Sequence, residues 1–186
     1  MKYKFLIVIL LFFTPTAFSK DRLPSSIVVN ERNFNKCSEV RITKALFFKI
    51  LDLGLYAPDC QSFSSVFSKS EKLIRFKYLR TVTGQEFKEG AEEYLGKNLP
   101  KQRLEQCQKP FNNLNQLYKN VNDGDFYQLI QSKDNAISIT LNNQLIGSIE
   151  NPDCAIDYYH MWFGKESMDT GFQKLIRKAI KNQKKS

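Results

Sequence analysis

Four cysteines constrain this chain more than any other feature. Cys37, Cys60, Cys107 and Cys154 follow one another at intervals of 23, 47 and 47 residues. No C-x-x-C pair exists, which disfavours a zinc ribbon or a dithiol redox centre. An even set of widely spaced cysteines reads as two disulfides in a protein that leaves the reducing cytoplasm. Four cysteines allow three connectivities, and spacing does not choose among them. The N-terminus points to export as well. Lys2 and Lys4 precede an apolar run from Phe5 to Phe13, and Ala17 and Ser19 have the small-residue spacing of a cleavage site. The run is well short of the roughly 20 residues a membrane-spanning helix needs. Residues 1–19 are therefore expected to be a cleaved signal peptide, and residues 20–186 a single domain with a basic C-terminal helix and tail.

The chain has 186 residues, 42% of them hydrophobic and 25% charged, enough to bury the core of one ordinary globular domain. Fifteen Phe and eight Tyr exclude a disordered chain or a coiled coil. The single histidine, His160, rules out a His-rich metal site and leaves any nucleophile–base pair dependent on one residue. Its neighbours Tyr158, Tyr159 and Trp162 offer no orienting carboxylate. Glu86, Glu89, Glu92 and Glu93 share a segment with Lys88 and Lys97 and read as a solvated helix face. Asp123 and Asp125 flank Gly124 without the calcium-loop pattern. No phosphate-binding loop or G-x-S-x-G occurs. No catalytic residue, metal or cofactor is expected from these patterns.

Hydrophobic periodicity orders the rest. Ile27–Val29 reads as a strand, and Val40 to Tyr56 as one long extended element with a possible bend. In Leu73 to Arg80, apolar Ile74, Phe76 and Tyr78 alternate with Arg75 and Lys77, as in a half-buried strand. Thr83-Gly84-Gln85-Glu86 has the form of a capping box, which predicts a helix from Gly84 to about Leu95. Pro100 opens a second helix, Lys101 to about Asn120, which Pro110 should kink or divide. Phe126–Gln131, Ala136–Leu141 and Gln144–Ile149 read as three short strands joined by turns at 133–135 and 142–143, where Asn accepts positive φ. Pro152 starts a helix expected to run to Phe163 and stop at Gly164. Asp169 precedes a last amphipathic helix bearing Phe172, Leu175, Ile176 and Ile180. The order predicts an α+β domain with a mostly antiparallel sheet.

Four stretches, taken in order, resemble the chalcone isomerase superfamily, and more specifically the bacterial exported chalcone-isomerase-like proteins. Phe47-Phe48-Lys49-Ile50-Leu51-Asp52-Leu53-Gly54-Leu55-Tyr56 resembles the family's F-x-K-x-x-x-x-G-L/V-Y strand. Phe76 to Phe87 is similar to the strand, turn and helix start that follow. Gly124-Asp125 through Leu145-Ile146-Gly147 resembles the G-D hairpin region, with Asn143 where Gly is common. Trp162-Phe163-Gly164 with Asp169 resembles the C-terminal W-L-G-x-x-P-x-D, with Ser167 in place of Pro. The resemblance spans roughly Ser38 to Ile176. It implies an open-faced sandwich: a curved antiparallel sheet covered by a layer of helices. It also implies periplasmic residence for the exported chain.

Plant enzymes of this superfamily close a hydroxychalcone ring between sheet and helices, using an Arg and the side chains of Tyr, Thr and Asn. Non-catalytic relatives bind a fatty acid in the equivalent cleft. By position, the enzyme's Thr, Tyr and Asn correspond here to Leu51, Phe87 and Tyr94. Leu and Phe carry no hydrogen-bonding group, so the resemblance argues against cyclisation. Arg41 is the only counterpart of the Arg. The expected function is non-catalytic binding of a fatty-acid-like or other small apolar ligand. Phe47, Leu51, Phe87 and Tyr94 would form walls, and Arg41 would meet the head group. The alternatives are an isomerase or intramolecular lyase of unknown substrate, or an envelope interaction protein using the fold as a scaffold.

The net charge is +9, or +7 once Lys2 and Lys4 leave with residues 1–19. Lys174, Arg177, Lys178, Lys181, Lys184 and Lys185 crowd the end of the chain. For an exported protein an anionic envelope surface is the expected partner of that helix, and nucleic acid is not.

Overall fold

The computed structural model describes residues 22–45 and 48–184. The expected signal peptide lies outside the described residues. Seven strands form one antiparallel sheet in simple sequence order, β1-β2-β3-β4-β5-β6-β7. They are β1 (Ser26–Val29), β2 (Arg32–Lys44), β3 (Phe48–Ala57), β4 (Lys72–Tyr78), β5 (Phe126–Gln131), β6 (Ile137–Leu141) and β7 (Gln144–Ile149). Helices α1 (Gly84–Asn98), α2 (Lys101–Asn115), α3 (Pro152–Tyr158), α4 (His160–Phe163) and α5 (Thr170–Gln183) complete the domain. This is the expected open-faced sandwich.

Strand alternation sorts the side chains between the two faces of the sheet. Val40 and Ile42 of β2, Leu51, Leu53 and Leu55 of β3, and Ile74, Phe76 and Tyr78 of β4 join Tyr127, Leu129, Ile137 and Ile139 in the main core. The helices cover this inner face. α1 contributes Ala91 and Leu95, α2 Cys107, Phe111 and Leu114, and α5 Phe172, Leu175 and Ala179. A second, smaller cluster of Leu23, Ile27, Phe34, Tyr56, Leu73 and Ile130 lies apart from the main core. Gly54 makes room for it. A Cβ there would lie 2.7 Å from both Leu23 Cδ1 and Tyr56 Cε2.

The extended element expected over Val40 to Tyr56 is two strands, β2 and β3, paired antiparallel with Arg41 opposite Asp52 and Ile42 opposite Leu51. The reversal carries no Gly, Pro or Asn. Ala45 takes the positive φ (48°) that marks it, so turn chemistry gave no signal. Asn30 and Glu31, both at positive φ (48° and 64°), form the β1–β2 turn, for which Asn30 was the available signal. The Asn turns behave as expected: Asn135, Asn142 and Asn143 all have positive φ.

The capping box is present, with Thr83 accepting from the Glu86 N–H and the Glu86 carboxylate accepting from the Thr83 N–H (2.7 Å). α2 is shorter than expected and continuous through Pro110. Cys107, Phe111 and Leu114 are buried on both sides of the proline, and the Cys107–Cys154 disulfide ties this helix to α3. Packing thus holds the helix where a missing N–H would weaken it. The helix expected over 152–163 is split into α3 and α4 at Tyr159. The second disulfide, Cys37–Cys60, ties β2 to the loop after β3. α5 ends against that bridge, where Gln183 donates to the Cys60 and Phe63 carbonyls.

Candidate functional site

The inner face is richest in aromatic side chains at the end of β4. Tyr78, at the last position of β4, meets Phe87, from the first turn of α1, edge-on at 5.4 Å. Gly84 lets α1 start this close, since a Cβ there would stand 2.5 Å from the Tyr118 carbonyl oxygen. Phe87 then stacks on Tyr118 (5.3 Å) and meets Tyr127 edge-on (5.3 Å). Farther in, Phe76 touches Trp162 of α4 (5.1 Å). These rings, with Leu129 and Ile139, enclose an apolar slot between sheet and helices of about 10 Å³. That is close to the room of one water.

Gln128 and Trp162 also line the slot, and the Tyr118 and Tyr127 phenols are held by hydrogen bonds. Tyr127 donates to the Lys119 carbonyl (3.0 Å) and accepts its N–H (2.8 Å). Tyr118 Oη lies 3.1 Å from Tyr158 Oη, which donates to Asn115 Oδ1 at 2.6 Å. Burial drives the pKa of Tyr78, Tyr118 and Tyr158 upward, so these groups stay protonated at neutral pH and cannot serve there as bases. Among the described residues, no carboxylate or cation lines the slot. On the far side of the phenol chain, a hollow of about 270 Å³ opens between α1 and α2 above Leu95, Leu104, Phe111 and Asn115. The Tyr118–Tyr158–Asn115 chain therefore links slot and hollow.

Of the residues expected to bind ligand, one lines the slot and one lies next to a residue that lines it. Phe87 is part of its wall, and Leu51 is buried one strand away, opposite Tyr78. Phe47 lies outside the described residues. Tyr94 is half-buried and does not pack against the core; Lys97 Nζ sits 4.8 Å from its ring centre. Arg41 requires the clearest correction. It alternates with Val40 and Ile42 and so points from the outer face, where its Nε and Nη2 donate to the two Asp52 oxygens (2.7 and 2.6 Å). Asp52 pins the guanidinium and raises its pKa. The alternation of Arg41 with apolar Val40 and Ile42 was the local signal that places it on the outer face, and the family resemblance overrode it. Phe76, Tyr118, Tyr127 and Trp162 were missed as slot residues. Alternation around Phe76 and Tyr78 was the available signal, and the long-range ring contacts left none.

Two other polar groups, one buried and one half-buried, stand apart from the slot. Lys72 is fully buried; its Nζ donates to the Ser68 and Ser70 carbonyls (2.6 and 2.9 Å) and to Gln131 Oε1 (2.8 Å). Burial lowers its pKa to about 7. His160 stacks on Phe67 at 4.5 Å, and burial lowers its pKa. Among the described residues, no cluster of three or more His, Cys, Asp or Glu could hold a metal ion.

The sequence matches the chalcone isomerase-like family over residues 22–176. The chain belongs to that family. No curated protein matches the sequence. Thirty-six chains of solved structures match its fold. One is the crystal structure of a fatty-acid binding protein from Arabidopsis thaliana, with a TM-score of 0.64 and 12% identity, covering 87% of this chain and 92% of that one. At that identity the likeness establishes the shared fold. The two disulfides of this chalcone isomerase-like protein fit an oxidising, extracellular-type compartment.

Proposed function

We propose that this protein is an exported, periplasmic binding protein, without catalysis, for a fatty-acid-like or other small apolar ligand held between sheet and helices. The proposal includes cleavage of residues 1–19 as a signal peptide, leaving one domain. The observation that carries it is the slot itself: an aromatic enclosure without a carboxylate or cation, backed by one hydrogen-bonded chain of phenols and an amide. Ligand sites usually pair apolar walls with a few placed polar groups. The fatty-acid binding protein of the same fold supports the choice of ligand. Phe87 and Leu51 would lie along the alkyl chain, and Tyr118, Tyr158 and Asn115 would meet the head group from the α1–α2 hollow.

A ligand needs several hundred Å³, so Phe87 and Tyr118 must swing aside to join slot and hollow. The closed slot also favours a second reading, in which the domain is a packed scaffold for protein contacts. Native mass spectrometry of detergent-free protein, alone and after incubation with fatty acids, decides between them. A mass that denaturation releases as a fatty acid supports the binding protein. A bare polypeptide mass after incubation overturns it and leaves the scaffold.

A further inference from the structure

We propose that the β2–β3 end of the sheet is a docking surface for an anionic lipid bilayer. Phe48 is 68% exposed at the first position of β3. It pairs across the sheet with Lys44, and Lys49 pairs with Thr43. Arg80 follows β4 at the same end, where the Leu79 N–H donates to the Ile50 carbonyl at 3.0 Å. Lys44, Phe48, Lys49, Ile50, Leu79 and Arg80 line one open hollow of about 520 Å³. Three cations therefore surround an exposed ring and an aliphatic floor, and among the described residues no carboxylate is part of the lining. Glu86 approaches Arg80 only at 4.0 Å.

This chemistry matches a bilayer interface with anionic head groups: the ring enters the head-group boundary and the cations meet the phosphates. The basic C-terminal helix fits less well. Its apolar residues Phe172, Leu175 and Ala179 are spent on the core, so it offers charge without a side chain of comparable exposure to insert. The docking end is also the slot end, because Leu51 and Tyr78 directly adjoin Ile50 and Leu79. If the proposed ligand-binding role holds, docking would present the slot to the lipid from which the ligand comes. The docking itself does not depend on that role.

The test is flotation of the exported, disulfide-bonded protein with vesicles of phosphatidylcholine alone or with 30 mol% phosphatidylglycerol (about one anionic lipid in three, enough to give a cytoplasmic-leaflet-like surface potential). We expect flotation with the anionic vesicles only. Lys44→Ser, Lys49→Ser and Arg80→Ser should each weaken it about fivefold, and Phe48→Ser should weaken it as much or more. Phe48→Trp should show a blue-shifted emission that brominated lipids quench, whereas the buried native Trp162 should not respond. The double variant Lys174→Ser/Lys181→Ser should float like wild type. Absence of flotation overturns the proposal, as does flotation that only the helix variant abolishes. Fatty-acid binding in solution, read separately by mass spectrometry, shows whether the ligand reading fails on its own.

Discussion

The two faces of the sheet are made by the same strands and carry opposite chemistry. Along β3, Leu51, Leu53 and Leu55 face the helices, while Asp52, Gly54 and Tyr56 face away. Along β4, Phe76 and Tyr78 enter the slot, while Arg75 lays its guanidinium 3.6 Å from the Phe126 ring centre on the outer side. The inner face holds by apolar contact and ring packing. The outer face combines the small Leu23 cluster with paired polar groups: Arg41 with Asp52, Lys36 with Glu39 (3.0 Å), and Thr140 with Gln128 (3.0 Å). A single-residue register shift would exchange the two chemistries. Position on a strand therefore says little about a residue's role until its turn is known.

The largest test of this division is Arg41→Ala. Asp52 is 2% exposed, so losing Arg41 strands a buried carboxylate. A broken buried pair costs about 3–5 kcal/mol. Denaturant melts should show that loss, whereas fatty-acid affinity, measured below the unfolding transition, should stay within twofold. A large loss of affinity with unchanged stability would return Arg41 to the ligand and erase the division.

Phe87→Ala probes the other face. Phe87 is partly buried and meets three rings, so the expected destabilisation is about 2–3 kcal/mol, below the usual range for a fully buried Phe. The same change enlarges the slot. In the binding-protein reading it should raise affinity for a bulky apolar probe, seen as more ligand-bound mass in native spectra. Unchanged binding of every probe, with the expected stability loss, would mark Phe87 as scaffold alone.

These two residues also show what could be read from sequence. The strand alternation of Ile74, Phe76 and Tyr78, the capping box at Thr83 and the Asn turns are local signals, and each corresponds to the feature the structure shows. Phe87 was reached through the resemblance of its helix start to the family's, which sets it at the position of the enzyme's Tyr. Arg41 was misplaced because its role was taken from the family's Arg, against the local alternation with Val40 and Ile42. The cysteine pairing, and the meeting of Tyr118, Tyr127 and Trp162, are long-range facts that local pattern does not encode.

Among the described residues Lys72 is the one buried ammonium, so it should reveal the cost of a charge on the inner side. Its folded pKa, lowered to about 7, lies below the roughly 10.4 of an unfolded Lys. Between those values the unfolded chain binds more protons, so this group makes stability rise with pH, by at most about 1.4 kcal/mol per pH unit. Its three oxygen acceptors match the three ammonium protons and oppose the shift. Lys72→Met should remove the rise. Stability curves for wild type and Lys72→Met that run parallel from pH 7 to 9 would show that the acceptors offset the burial completely.

The smallest expected effect concerns how the slot opens. α1 carries Phe87 on its first turn, and Thr83 fixes that turn through the Glu86 N–H. Removing an N-cap hydroxyl costs about 1 kcal/mol. Thr83→Ala should therefore lower stability by that amount and loosen the turn that holds the ring. Because a ligand must displace Phe87, entry should speed up by about fivefold if the same 1 kcal/mol opposes opening, with a matching rise in amide exchange over residues 84–87. An outer-face change of equal cost, such as Thr140→Ala, leaves α1 untouched and should leave the entry rate unchanged. If both variants speed entry equally, global loosening rather than the α1 cap controls access, and the inner face loses its claim to a dedicated gate.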